Sequence, residues 1–183
     1  MIRNREDKKM TVTLVEKYNP EWPKWFKEIE TFLGEKVSQA CIRIEHVGST
    51  SIPGMTAKPI IDLILVIEPQ DFEKIKALLA ERGYYHRGDL GIEEREVFGL
   101  EDVSVKSSMP LHHLYVCPKH SAELKKEISF RDFLRQSREY AEHLSRLKWS
   151  LAEEFNNDRE AYMEGKAALC REITERALEH SEG

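Results

Sequence analysis

No stretch of this chain approaches the ~20 consecutive apolar residues that a bilayer-spanning helix needs. The longest apolar run, 60–67, is short and carries Asp62 inside it. Cysteine is scarce: the three present, Cys41, Cys117 and Cys170, are far apart and odd in number. That excludes a disulfide framework and any paired-thiol metal or redox motif, and it fits a reducing cytoplasm. Positive charge is not in excess either, since 28 Lys and Arg stand against 33 Asp and Glu for a formal charge of −5. Nucleic-acid surfaces work by neutralising phosphates, so a general one is excluded, whereas a local basic pocket is not. Residues 1–10 lack the apolar core of a secretory signal and are expected to form a solvated, frayed start. Repeats and low-complexity linkers are missing, so 11–183 are expected to form one domain.

What is present is a sequence of short periodic segments. Alternation over 11–17 predicts a strand. Asn19-Pro20-Glu21 has the chemistry of a helix start: a side-chain cap, a proline for the first turn and an acid at the positive end of the dipole. Trp22, Trp25, Phe26, Ile29, Phe32 and Leu33 follow at helical spacing, which predicts a helix over 20–39. Strands are expected over 41–47 and, from the branched apolar run, over 60–67, joined by a turn-rich stretch. A helix is expected over 71–82, ended by Gly83. Short strands are expected over 84–87, 93–100 and 103–106, and a clearer one over 111–117. From Ser121 onward the apolar period is helical in three sets, with Asp158 capping the last after Asn156-Asn157. The expected class is α+β: a small mixed β-sheet with helices on one face and a helical C-terminal third.

The chemistry concentrates in Glu45-His46-Val47-Gly48-Ser49-Thr50-Ser51 and Lys58-Pro59-Ile60-Ile61-Asp62. Gly48 lets backbone approach a ligand, and Ser49, Thr50 and Ser51 offer hydroxyls and amides to phosphate oxygens. Lys58 adds a point charge. Asp62 on the returning strand has two readings, a salt bridge or a divalent-metal ligand, because an unpaired acid in an apolar strand is costly to bury. His46, His112 and His113 also have two readings, metal ligands or strand-end histidines bonded to backbone.

The run from Ile44 to Gly54, followed by Ala57-Lys58-Pro59-Ile60-Ile61-Asp62, closely resembles the GrpB family. The resemblance continues in His113-Leu114, in Phe130-Arg131-Asp132-Phe133-Leu134-Arg135, and at Lys148, Tyr162 and Lys166. It implies a nucleotidyltransferase-like fold, with a Gly-Ser loop after the first core strand and metal-binding acid on the next. Arg131, Arg135, Lys148 and Lys166 have two readings, a cleft-facing set that holds a triphosphate or anionic acceptor and a solvated helix face, and composition alone favours the second. The resemblance instead assigns Arg131, Lys148, Tyr162 and Lys166 to the phosphate site.

Active members of that superfamily carry acids at i and i+2 of the second strand, on one face, where they clamp two metals. Here the i+2 residue is Ile64. Asp62, His113, Glu45 and His46 are therefore the candidate metal ligands, and Asp62, Glu45 and His113 the candidate catalytic residues. Mg²⁺ or Mn²⁺ is the expected ion, and an imidazole in the set would also suit Zn²⁺ or Fe²⁺. Three functions follow: a metal-dependent nucleotidyltransferase acting on a small acceptor; a non-catalytic binder of a nucleotide or other phosphorylated small molecule that has lost the second metal acid; or a structural or adaptor domain, against which the whole Glu45 to Asp62 segment argues.

Overall fold

A computed structural model describes residues 15–155 and 158–182. Residues 1–10, most of the strand expected over 11–17, and Asn156-Asn157 lie outside the described residues; of that strand, Glu16 bridges Ala57 antiparallel. Helix α1 (Trp22–Leu33) starts where Asn19 Oδ1 accepts the Glu21 N–H at 2.9 Å. It buries Trp22, Phe26, Ile29 and Leu33, one stripe of the predicted face. The helix expected over 20–39 breaks at Gly34, and α2 (Glu35–Ala40) follows. Gly34 has φ +82°, and a Cβ there would run into the Arg82 guanidinium, so the break is built into the packing.

Among the described residues five strands form one sheet: β1 (Arg43–Val47), β2 (Ile61–Ile67), β3 (Tyr84–His86), β4 (Glu96–Leu100) and β5 (His112–Pro118). Their order is β1-β2-β5-β4-β3, with β2 and β5 parallel and the other pairs antiparallel. The sheet is mixed, as expected. The parallel pair is connected through α3 (Phe72–Glu81), the β3–β4 hairpin and a short α4 (Val103–Ser108). The strand expected over 103–106 is corrected to α4. Asp102 caps it, accepting the Ser104 and Val105 N–H groups, and Val103 is 75% exposed, so its alternation with Val105 has no sheet to join.

Strand β2 is buried on both faces except at Asp62, which explains its nearly continuous apolar run. On one face Ile61, Leu63, Leu65 and Ile67 pack with Leu114 and Val116 against α1 and α3. On the other, Val47, Ile64, Val66 and Cys117 meet Leu124 of α5 (Ala122–Gln136). Two more helices, α6 (Arg138–Phe155) and α7 (Arg159–Glu182), complete the helical C-terminal third. Ile52 and Met55, from the turn-rich stretch after β1, are buried among Leu134, Leu144, Leu169 and Ile173 of these helices. That insertion ties the Gly48–Pro59 loop to α5, α6 and α7.

Candidate nucleotide-binding cavity

Register assembles the centre of the site. Val47 pairs with Asp62 across β1 and β2, and Asp62 pairs with His113 across β2 and β5. Partners in register share a face, so these residues stand in one row across three strands. His113 Nδ1–H donates to Asp62 Oδ1 at 2.8 Å. The Asp62 side chain is 27% exposed and makes no ion pair with Arg or Lys among the described residues. Its partner is the His113 imidazole rather than a lysine or arginine.

Gly48 leaves β1 with φ +68°, and a Cβ on it would collide with the Asp62 carboxylate. Only glycine lets the turn close over the acid. Ser49–Ser51 form a short 3₁₀ turn in which Ser51 Oγ donates to the Gly48 carbonyl at 2.6 Å. Thr50 Oγ1 donates to the Ile60 carbonyl at 3.4 Å, pinning the turn to the start of β2.

Next to this turn lies a cavity of about 370 Å³. Gly48, Ser49, Thr50, Lys58, Asp62, His113, Lys148, Tyr162 and Lys166, all expected site residues, line it. Lys148 of α6 is 3% exposed and donates to Ser49 Oγ and to the Thr56 carbonyl (3.2 Å). Burial first, and then neighbouring Lys166, push its pKa down to about 7. Lys58 and Lys166 each sit 5.3 Å from the centre of the Tyr162 ring, so that tyrosine organises two cations. Lys58 is also held below its ordinary pKa, by burial, by Arg159 and by Lys166.

Four expected site residues are not brought to the cavity. Glu45 shares the Asp62 face, but its carboxylate is taken by Arg131 Nη1 at 2.6 Å and Arg43 Nε at 2.6 Å. Burial would raise its pKa; the two guanidiniums outweigh that and hold it low. As a metal ligand or base Glu45 is thus corrected to a structural ion-pair partner. His46 alternates to the other face of β1, stacks on Phe26 at 4.8 Å and lies 3.0 Å from Thr50 Oγ1. Burial, with Arg135 and Arg131 nearby, pushes its pKa down to about 4, and it is corrected from metal ligand to packing residue. Arg131 also donates to the His46 carbonyl at 3.0 Å, and Arg135 donates to the Ser51 carbonyl at 3.0 and 2.8 Å. These arginines clamp the loop from behind rather than facing a ligand. Ser51 is buried within the turn. His112 follows its backbone reading, with Nδ1 bonded to the Pro110 carbonyl at 2.8 Å and Nε2 to Tyr84 Oη at 2.7 Å.

A sequence profile described as GrpB protein matches residues 11–176. The chain belongs to the GrpB family. UPF0157 protein BH1888 of Halalkalibacterium halodurans is 34% identical over 179 residues, 91% of this chain and 83% of that protein. The crystal structure of conserved protein GrpB from Enterococcus faecalis superposes with a TM-score of 0.78 at 27% identity, over 92% of this chain and 99% of that one. Cid1, solved in complex with its short product ApU, matches at a TM-score of 0.50 and 11% identity, over 73% of this chain and 40% of that one. The fold is nucleotidyltransferase-like.

Three charged lining residues were not expected from the sequence: Arg95, Glu127 and Arg159. Arg159 stands at i, i+3 and i+7 with Tyr162 and Lys166, a helical spacing that was legible. Glu127 lies four residues before Arg131 on α5, but the run Glu123-Leu124-Lys125-Lys126-Glu127 reads as a solvated face. Arg95 lies just before β4, inside the strand expected over 93–100, where alternation does not mark it for the cavity. Its guanidinium stacks on Tyr115 at 4.8 Å, and its Nε is buried without a partner among the described residues. The histidine and acidic groups do not form a cage: among the described residues no three His, Cys, Asp or Glu side chains gather as metal ligands. A hard cation such as Mg²⁺ fits such a site, because it keeps waters and binds through one or two carboxylates plus ligand phosphates.

Proposed function

We propose that the cavity binds a nucleoside triphosphate and that the protein transfers its nucleotidyl group to a small acceptor. The observation that carries this is Lys148, a buried lysine on the Ser49 hydroxyl, beside Lys58, Arg159 and Lys166 in one cavity of an otherwise acidic chain. None of these four cations pairs with a carboxylate among the described residues. Of the four only Lys148 is buried, and leaving its charge uncompensated there is expensive; a polyphosphate reaching it past the more exposed Lys58, Arg159 and Lys166 is the ligand chemistry that offsets this. Amides and hydroxyls of the Gly48-Ser49 turn complete the cradle.

In the transfer, the acceptor hydroxyl oxygen attacks the α-phosphorus. The bond from that phosphorus to the bridging oxygen breaks, and diphosphate leaves onto the lysines, which are preorganised for its charge. His113, at the cavity and bonded to Asp62, takes the acceptor proton. Mg²⁺ or Mn²⁺ held by Asp62, when bound, supplies charge neutralisation at the phosphates. A second reading, binding without transfer, is favoured by Ile64 in place of the second strand acid. A cytoplasmic setting accords with three free cysteines. Among the described residues no helix is long and apolar enough to cross a membrane.

Thermal shift with the four nucleoside triphosphates, in chelator and then with Mg²⁺ or Mn²⁺, tests binding. A ligand at 100 times its Kd adds about 2.7 kcal/mol of stability. Absence of any shift at millimolar triphosphate would remove both readings. Labelled triphosphate with an acceptor panel separates transfer from binding.

A further inference from the structure

The acid that β2 lacks at Ile64 is present from another element. Ile64 lines the cavity two residues beyond Asp62 on the same strand face, and Glu127 of α5 lines that cavity as well. The Glu127 side chain makes no hydrogen bond and no ion pair among the described residues; burial first, then Glu123 and Asp62, push its pKa up to about 7, with Lys126 and Arg95 opposing. Lys126 pairs instead with Glu123 at 3.1 Å, and Arg95 Nη1 points to Glu123 at 3.9 Å. Glu127 is therefore an uncommitted carboxylate facing a cavity that already holds Asp62. Two like charges on one low-dielectric cavity repel, and a cation between them turns the repulsion into attraction. Apolar packing of Leu124 and Ile128 beneath α5 fixes the helix rotation that points Glu127 inward.

We infer that Glu127 and Asp62 together hold a divalent cation, α5 supplying across the sheet the carboxylate that the strand itself does not carry. This deepens the triphosphate reading and relies on it for the remaining oxygen ligands, which phosphates and water provide. His113 orients Asp62 through their hydrogen bond, as a positioning residue does for a ligating carboxylate.

The test is Mn²⁺ binding, followed by electron paramagnetic resonance of the free ion, with Mn²⁺ alone and with a non-hydrolysable nucleoside triphosphate. Wild type is expected to take up one Mn²⁺. Glu127→Gln and Asp62→Asn are each expected to weaken it about tenfold or more, as loss of groups supporting a metal does. Glu123→Gln, one turn earlier on α5, is expected to stay within about twofold of wild type. Unchanged Mn²⁺ affinity in Glu127→Gln, or no uptake by wild type under either condition, overturns the inference. Should the variants not fold, carboxyl ¹³C resonances of wild type decide. Substoichiometric Mn²⁺ is to broaden Glu127 and Asp62 before Glu123, and an unbroadened Glu127 overturns the inference equally. Triphosphate binding in chelator depends on the lysines alone, so its failure sinks the nucleotide reading while leaving the Mn²⁺ result intact.

Discussion

At Lys148 a stability cost and the proposed binding role meet in one side chain. Unfolded, a lysine keeps its proton up to its ordinary 10.5; folded here, only to about 7. Between those values the unfolded chain holds the extra proton, so stability rises as pH rises, and below about 7 the full penalty is present. Lys148→Met keeps the packing and removes the charge. Urea unfolding of both proteins across pH 6 to 10 is expected to show the variant more stable at the acid end, by on the order of a few kcal/mol, with the difference shrinking toward pH 10. A difference independent of pH contradicts the depressed pKa. The same variant is expected to lose triphosphate affinity at least about tenfold, read by isothermal titration. In wild type that affinity is expected to fall as pH rises above about 7, because the phosphates need the protonated amine. Gly48 is the other decisive residue. Gly48→Ala meets a left-handed φ and the Asp62 carboxylate together, and is expected to cost about 2 kcal/mol in chemical denaturation.

At the scale of elements, α5 is fastened to β1 through Arg131 and Glu45 rather than through ligand contacts. Breaking a largely buried pair leaves one charge uncompensated, and Arg43 relieves only part of that here. Arg131→Ala is expected to lose about 2–3 kcal/mol of stability while leaving triphosphate affinity within about twofold, measured at a temperature where the variant is folded. A stable variant that cannot bind triphosphate would return Arg131 to the ligand site. Arg135, which holds the Ser51 carbonyl, belongs to the same fastening. The loop that carries Ser49 is thus positioned from behind by α5 and from the front by Lys148 of α6.

For the molecule as a whole, the contrast is between an acidic chain and a cavity lined with Lys58, Arg95, Lys148, Arg159 and Lys166. Low-dielectric walls focus that field on an anion. A triphosphate is expected to bind at least about tenfold tighter than the matching monophosphate, and less tightly as salt is raised. Isothermal titration at two ionic strengths measures both. Equal affinity for the two ligands would place the recognition on the nucleoside instead of the phosphates. The α+β class, the mixed sheet, the C-terminal helices and the meeting of Gly48-Ser49 with Asp62 at one cavity were legible in the sequence. Each depends on short-range periodicity or on a motif spanning two adjacent strands. Gly34 splitting the first helix and Asp102 turning 103–106 into α4 were legible only in part, since cap and packing compete with alternation there.

The sequence by itself determined most of the strands and helices, the small-residue turn before the strand that carries Asp62, and the apolar faces that pack them, because these are written in neighbouring residues. Only the tertiary structure decided that Arg131 captures Glu45, that His46 turns to Phe26, and that Arg95 and Glu127 enter the cavity. Each of those outcomes depends on which element packs across the sheet and in what rotation. A side chain's partner from 86 residues away is not encoded in the period of its own segment.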